Sequence, residues 1–159
     1  MGVGKAHLEW HLKHMNPKLH ICCADYTEKA LIDLEKVFVI GDNFLQFDML
    51  KDDWKRLTRY DYCLLNRVNS EFSSIQWKGI YAQMAKSGIK KIIFIPSRFG
   101  NIADFCNSIL NAKFKKGEAK VSWCYTEYEF LKMWKPYYRV IKKISFDDSA
   151  IYCLKLREQ

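Results

Sequence analysis

Apolar positions three and four residues apart run from Lys5 to Met15, with Leu8, Leu12 and Met15 on one face, and Asn16-Pro17 ends the run. This spacing predicts a helix. Leu19 to Ala24 is a continuous apolar run closing on Asp25, the composition of a strand buried on both faces. Thr27 is placed to cap a second helix whose Ala30, Leu31, Leu34 and Phe38 form an apolar stripe, ended by Gly41-Asp42. Asn43 to Phe47 predicts a strand closing on Asp48, Asp52 to Thr58 a short helical turn, and Tyr60 to Val68 a buried strand with polar Asn66 near its end. Ser73 or Ser74 then caps a helix through Ile75, Ile80, Tyr81 and Met84, closed by Lys86-Ser87-Gly88, and Ile89 to Ile95 is the strongest strand signal in the chain.

After Pro96 the pattern predicts a helix from about Asn101 to Ala112, a Lys/Gly-rich connection and an extended stretch over Val121 to Tyr125. Thr126 is placed to cap a last helix through Tyr128, Leu131 and Trp134, which Pro136 terminates. Tyr138 to Phe146 and Ala150 to Leu156 are strands whose link, Asp147-Asp148-Ser149, is short enough to force an antiparallel hairpin. Strands alternating with helices imply an α/β fold: a doubly wound, mostly parallel sheet with helices on both faces and a C-terminal antiparallel hairpin. Ligands of such sheets sit beyond the carboxyl ends of the strands, and three of those ends carry Asp25, Asp48 and Asn66.

With 159 residues, 49% of them hydrophobic and 15% aromatic, the chain can bury one substantial core, so a single domain over residues 1–159 is expected. It contains no run of about 18 apolar residues, and no basic stretch followed by an apolar segment opens it; a cytoplasmic protein is expected, neither membrane-inserted nor secreted. The six cysteines, Cys22, Cys23, Cys63, Cys106, Cys124 and Cys153, include no CxxC pair, and four lie in apolar runs where a thiol behaves as a small hydrophobe. Reduced thiols are expected, with no zinc knuckle and no disulfide framework.

A net charge of +8 makes the surface field positive. The basic residues come as scattered doublets (Lys90-Lys91, Lys115-Lys116, Lys142-Lys143) without interleaved aromatics, so nucleic acid is not the favoured partner. His7, His11 and His14 share a face of the first helix, a geometry able to hold a metal. No fourth ligand stands at a suitable spacing, so the face reads as polar and no metal is expected. Trp54, Trp77, Trp123 and Trp134 read as core or lid residues rather than base-stacking platforms.

The chemistry concentrates near the N-terminus. A turn such as Gly2-Val3-Gly4 lets backbone N–H groups and a helix N-terminus approach a ligand, and a carboxylate about 20 residues later is placed to take a ribose diol. Gly4 to Asp25 is 21 residues and Asp25 to Asp48 is 23, each about one helix plus one strand.

In this order and spacing the chain resembles the class I S-adenosylmethionine-dependent methyltransferases, from Gly2 to Leu156. Gly2-Val3-Gly4 resembles part of their glycine-rich first motif, Ala24-Asp25-Tyr26-Thr27 the acidic segment holding the cofactor's ribose, Phe47-Asp48-Met49 the segment meeting the adenine, and Tyr60 to Asn69 the segment facing the methionine portion and the substrate. The resemblance implies a Rossmann-like fold and S-adenosylmethionine as cofactor. It also implies cofactor-binding roles for Gly2, Gly4, Asp25, Tyr26, Asp48, Met49 and Asn66, and candidate roles toward the acceptor for Asn66 and Glu71. The family's first strand would lie ahead of Met1, so an N-terminally truncated version of the fold is expected, with ladder groups exposed on two neighbouring strands.

Two other readings stand beside it. A nicotinamide-dependent dehydrogenase would use a similar cradle, but the run Gly-Val-Gly-Lys-Ala-His lacks the third small residue and the terminal hairpin favours the methyltransferase. A degenerate, non-catalytic module binding anions or nucleic acid is the other. There is no Asn/Asp-Pro-Pro-aromatic run, which argues against amino-methylation of nucleic-acid bases or glutamine. A small-molecule acceptor, anionic by the chain's charge, is preferred, with selectivity in Tyr125 to Tyr138 and the loop after Pro96. Neither the acceptor atom nor the oligomeric state is encoded in these motifs.

Overall fold

The computed structural model describes residues 2, 6–36, 43–96, 125–146 and 149–158, and the chain divides into two units, Met1–Asp52 and Asp53–Gln159. The expected helix over 101–112, the stretch from 121 to 124, Phe38, Gly41-Asp42 and Gly4 lie outside the described residues.

The first unit comprises α1 (His7–Met15), β1 (Cys22–Asp25), α2 (Glu28–Glu35) and β2 (Asn43–Gln46). Strands β1 and β2 pair in parallel, from Cys22 opposite Asn43 to Asp25 opposite Gln46, as a helical crossover requires. The pairing is extended by Asn43 N–H donating to the Ile21 carbonyl and Phe47 N–H to that of Asp25. Its core is Ala6, Cys23, Leu31 and Leu34, with Ile21 and Phe44 packed against them. Met15, expected on the apolar face of α1, is 83% exposed because it sits in the last turn, beyond the reach of this cluster.

The second unit contains a 3-10 turn (Trp54–Leu57), β3 (Cys63–Asn66), α3 (Ser74–Ser87), β4 (Lys91–Ile95), α4 (Glu127–Trp134), β5 (Tyr138–Phe146) and β6 (Ser149–Leu156). The sheet order is β3-β4-β6-β5, with β3 and β4 parallel and β6 antiparallel to both β4 and β5. The terminal hairpin is therefore present as expected. Helix α3 begins with a capping box in which Ser73 and Gln76 exchange hydrogen bonds, and ends on Gly88 at φ 89°, a left-handed conformation that glycine adopts without strain. Trp77, Ile80, Tyr81 and Met84 of α3 and Phe130, Met133 and Trp134 of α4 are buried, as are Ile92, Phe94, Tyr152 and Leu154 of the sheet. The rings interlock: Phe94 lies 5.0 Å from Phe130 and 5.4 Å from Trp134, and Trp134 lies 5.2 Å from Tyr152.

Among the described residues the ladders form two sheets, β1-β2 and β3-β4-β6-β5, with no hydrogen-bonded strand joining them. Among the described residues β1 and β3 each end a ladder. Ile75 and Tyr128 lie in the helices expected for them and are 80% and 64% exposed; each is in the first turn, and Trp77 and Phe130 take the inward positions.

Four cysteines are described, all as free thiols. Burial pushes the Cys63 thiol up to about 11, so little reactive thiolate is available near neutral pH. Alkylation with iodoacetamide at about pH 8.5, mapped by mass spectrometry, is expected to leave Cys63 and fully buried Cys23 unlabelled until urea unfolds the chain. Rapid labelling of Cys63 in the native protein would contradict its place on the inner face of β3.

Candidate functional site

In the first unit, both carboxylates singled out by the sequence fall at the carboxyl ends of adjacent parallel strands, where an α/β sheet presents its ligand site. Asp25 is the last residue of β1 and is half-buried. Its Oδ1 accepts the Thr27 N–H at 3.0 Å, which fixes the carboxylate at the start of α2. Its Oδ2 accepts no hydrogen bond among the described residues. Tyr26 is exposed, and its carbonyl accepts from Gln46 Nε2 at 3.3 Å, tying the turn after β1 to the end of β2.

Asp48 lies two residues past β2 and is more committed. Its Oδ1 accepts the Leu50 N–H at 2.9 Å, its Oδ2 stands 3.6 Å from Lys51 Nζ, and its own N–H donates to Asp52 Oδ2 at 2.7 Å. It therefore caps the turn over residues 48–52. Met49 and Phe47 beside it are buried. Gly2 has φ 65°, a conformation that suits glycine, and its N–H donates to the Ala24 carbonyl at 3.1 Å, which brings it beside the end of β1. Ala6, at φ 53° before α1, is a second left-handed residue and is buried. A non-glycine residue there costs on the order of 1 kcal/mol or more, and no local sequence signal marks it.

In the second unit, Asn66 ends β3 and is half-buried, whereas Glu71 is exposed in the following turn with its N–H on the Val68 carbonyl. Between them Arg67 adopts φ 54° and donates its N–H to the Ile95 carbonyl at 2.7 Å. This strained, exposed arginine stands at the carboxyl end of two parallel strands, within the Tyr60 to Asn69 segment but with no role assigned to it by sequence. The turn is held from within by the Trp77 indole, whose Nε1–H donates to the buried Asn69 carbonyl at 3.2 Å, and by Tyr125, whose hydroxyl donates to the Phe72 carbonyl at 2.8 Å. Burial, reinforced by the Glu129 carboxylate, pushes the Tyr125 hydroxyl up to about 12, so it stays a donor throughout the physiological range.

The histidines of α1 make a ring cluster: His14 stacks on exposed Trp10 at 5.4 Å and His11 meets it edge-on at 5.1 Å. Among the described residues no group of three His, Cys, Asp or Glu side chains is placed to hold a metal. Trp54, Trp77 and Trp134 are buried, and Trp123 lies outside the described residues.

The chain is similar in fold to several solved methyltransferases. The methyltransferase SibL matches with a TM-score of 0.74 at 12% identity, over 99% of this chain and 49% of that one. Human N-acetylserotonin methyltransferase matches with a TM-score of 0.72 at 15% identity, over 98% of this chain and 46% of that one. The fold is that of the class I methyltransferases. Magnesium protoporphyrin IX methyltransferase from Synechocystis PCC 6803 shares it too, with a TM-score of 0.70 at 13% identity over 98% of this chain and 71% of that one. This chain thus spans about half the length of the first two. No family model and no curated protein matches the sequence. Among the described residues no helix is long and apolar enough to cross a membrane.

Proposed function

We propose that the chain is a single methyltransferase-like domain, cytoplasmic, that binds S-adenosylmethionine and transfers its methyl group to a small-molecule acceptor. The observation carrying this reading is Asp25: a half-buried carboxylate at the carboxyl end of a parallel strand, fixed through one oxygen while the other accepts nothing among the described residues. That is the acceptor a ribose diol requires, since two hydroxyls donate best to an anchored, charged group. Several structures with this fold hold the same cofactor or its demethylated product, among them the human enzyme in complex with SAM and the Synechocystis enzyme with bound SAH.

When bound, S-adenosylmethionine supplies a methyl already activated on a sulfonium, so positioning does most of the catalysis. Asp25 and the adjoining Tyr26 are assigned the ribose, and Gly2 and Gly4 the close backbone approach. Asp48 with Met49 is assigned the adenine. Asn66 is assigned the methionine end and Glu71 the acceptor, with Arg67 offering a charge to an anionic acceptor. One observation favours the non-catalytic alternative, an anion-binding module of the same fold: both Asp48 oxygens already have partners, Leu50 and Lys51, within their own turn.

Calorimetric titration with S-adenosylhomocysteine, beside NAD, tests the reading. Micromolar binding of the first and none of the second is expected. A folded sample that binds neither would sink the methyltransferase assignment and leave the binding-module reading.

A further inference from the structure

The amino-terminal end of the second unit's sheet carries a cationic depression unrelated to the carboxyl-end residues described above. Leu156 N–H donates to the Lys90 carbonyl and Arg157 N–H to the Tyr137 carbonyl. Arg157 therefore sits where β4 begins, at the opposite end of the strands from Asn66 and Ile95. Around it, Lys132, Lys135, Pro136 and Arg157 line a broad depression of about 430 Å³.

Arg157 is held rigidly. Its Nε donates to the Lys135 carbonyl at 2.9 Å and to the Tyr138 carbonyl at 3.3 Å. Among the described residues its two terminal nitrogens make no hydrogen bond, so a pre-oriented guanidinium edge remains for a ligand. Lys132 is steadied by its ammonium lying 4.2 Å from the centre of the Tyr128 ring.

Cations at the end of a helix have an ordinary explanation, compensation of the dipole, but a helix terminus carries only about half an elementary charge. Three full charges gather at the end of α4, and among the described residues no acid pairs with any of them. The neighbouring acids are otherwise committed: Glu127 pairs with Lys143, Glu129 accepts from Thr126, and Glu158 pairs with Lys155 at 3.7 Å. An unmatched, partly pre-organised cationic cluster around a concave surface is suited to an oxyanion with several acceptor oxygens.

We propose that this depression is a binding site for a phosphate-bearing small ligand. The planar guanidinium edge grips two phosphate oxygens and the two ammonium groups neutralise the remaining charge. Because it stands at the far end of β4 from Asn66, its ligand is distinct from any bound beyond the carboxyl ends of β3 and β4. The site stands or falls independently of the methyltransferase reading.

Titration of the full chain with sodium pyrophosphate, followed by calorimetry at low ionic strength, tests this. The Lys132→Gln/Lys135→Gln variant is expected to bind about tenfold more weakly or worse, while Lys86→Gln, on the exposed face of α3, binds as the parent does. Arg157→Lys keeps the charge but loses the fork, and is also expected to weaken binding with the near-ultraviolet circular dichroism unchanged. The proposal is overturned if pyrophosphate gives no heat, or if the double variant binds it as tightly as the parent. It is equally overturned if a single-stranded oligonucleotide binds more tightly than pyrophosphate through the same lysines, which would make this face a nucleic-acid surface.

Discussion

Replacing Trp77 by alanine is expected to destabilise the second unit by about 3 to 5 kcal/mol, the range for truncating a fully buried large aromatic. Trp77 is completely buried. Its ring meets Phe72 at 5.3 Å, Tyr81 at 5.4 Å, Phe130 at 6.1 Å and Phe94 at 6.2 Å, so one side chain joins the turn after β3, α3, β4 and α4. The substitution also removes the donor to the Asn69 carbonyl, which releases the segment between Asn66 and Glu71 as well as opening a cavity. Trp77→Phe separates these effects: it keeps most of the packing but loses the indole N–H, and about 1 to 2 kcal/mol is expected. Urea unfolding followed by near-ultraviolet circular dichroism reads both. With a slope of about 2 kcal/mol/M, the alanine variant's midpoint should fall by roughly 2 M. A fall below about 0.5 M would mean that the aromatic cluster does not organise this unit.

How far such features can be read from sequence depends on whether they are local. The Ser73–Gln76 and Thr126–Glu129 capping boxes are local, and the residues expected to start both helices do so. The hairpin of β5 and β6 is set by a connection too short for any alternative, and its pairing appears as expected apart from a shift between Val140 and Lys142. Asp25 closes β1 because the apolar run ends there. The pairing of distant strands is not local, and the division into two ladders follows from which strands find partners, which the composition of β1 and β3 leaves open. The outward positions of Ile75 and Tyr128 are not local either, because which residues of a first turn face inward depends on where the sheet lies. The left-handed backbones of Ala6 and Arg67 have no signature, because neither residue type favours that conformation. The cationic depression was equally invisible, since Arg157 reaches Lys135 only through the sheet that brings the end of β6 back to α4.

Asp25 is the residue on which the cofactor assignment turns, and Asp25→Ala is expected to weaken S-adenosylhomocysteine binding by about 1.5 to 3 kcal/mol, roughly 10- to 150-fold. The alanine variant alone would be ambiguous. The same carboxylate accepts the Thr27 N–H at the start of α2, so its removal is also expected to cost about 1 kcal/mol of stability. Asp25→Asn resolves this. The amide oxygen can still accept from Thr27, so the unfolding midpoint should stay near that of the parent, but the neutral side chain has lost the charge and the second acceptor that a pair of ribose hydroxyls needs. Weak binding by Asn and Ala alike, with only Ala destabilised, identifies Asp25 as a ligand to the ribose. If Asn binds as tightly as the parent, the carboxylate serves α2 alone and the nucleoside lies elsewhere. Calorimetry at matched ionic strength decides between these outcomes, because a charge-assisted pair to a neutral diol should respond little to salt, whereas a general effect of the chain's positive field should fade as salt rises.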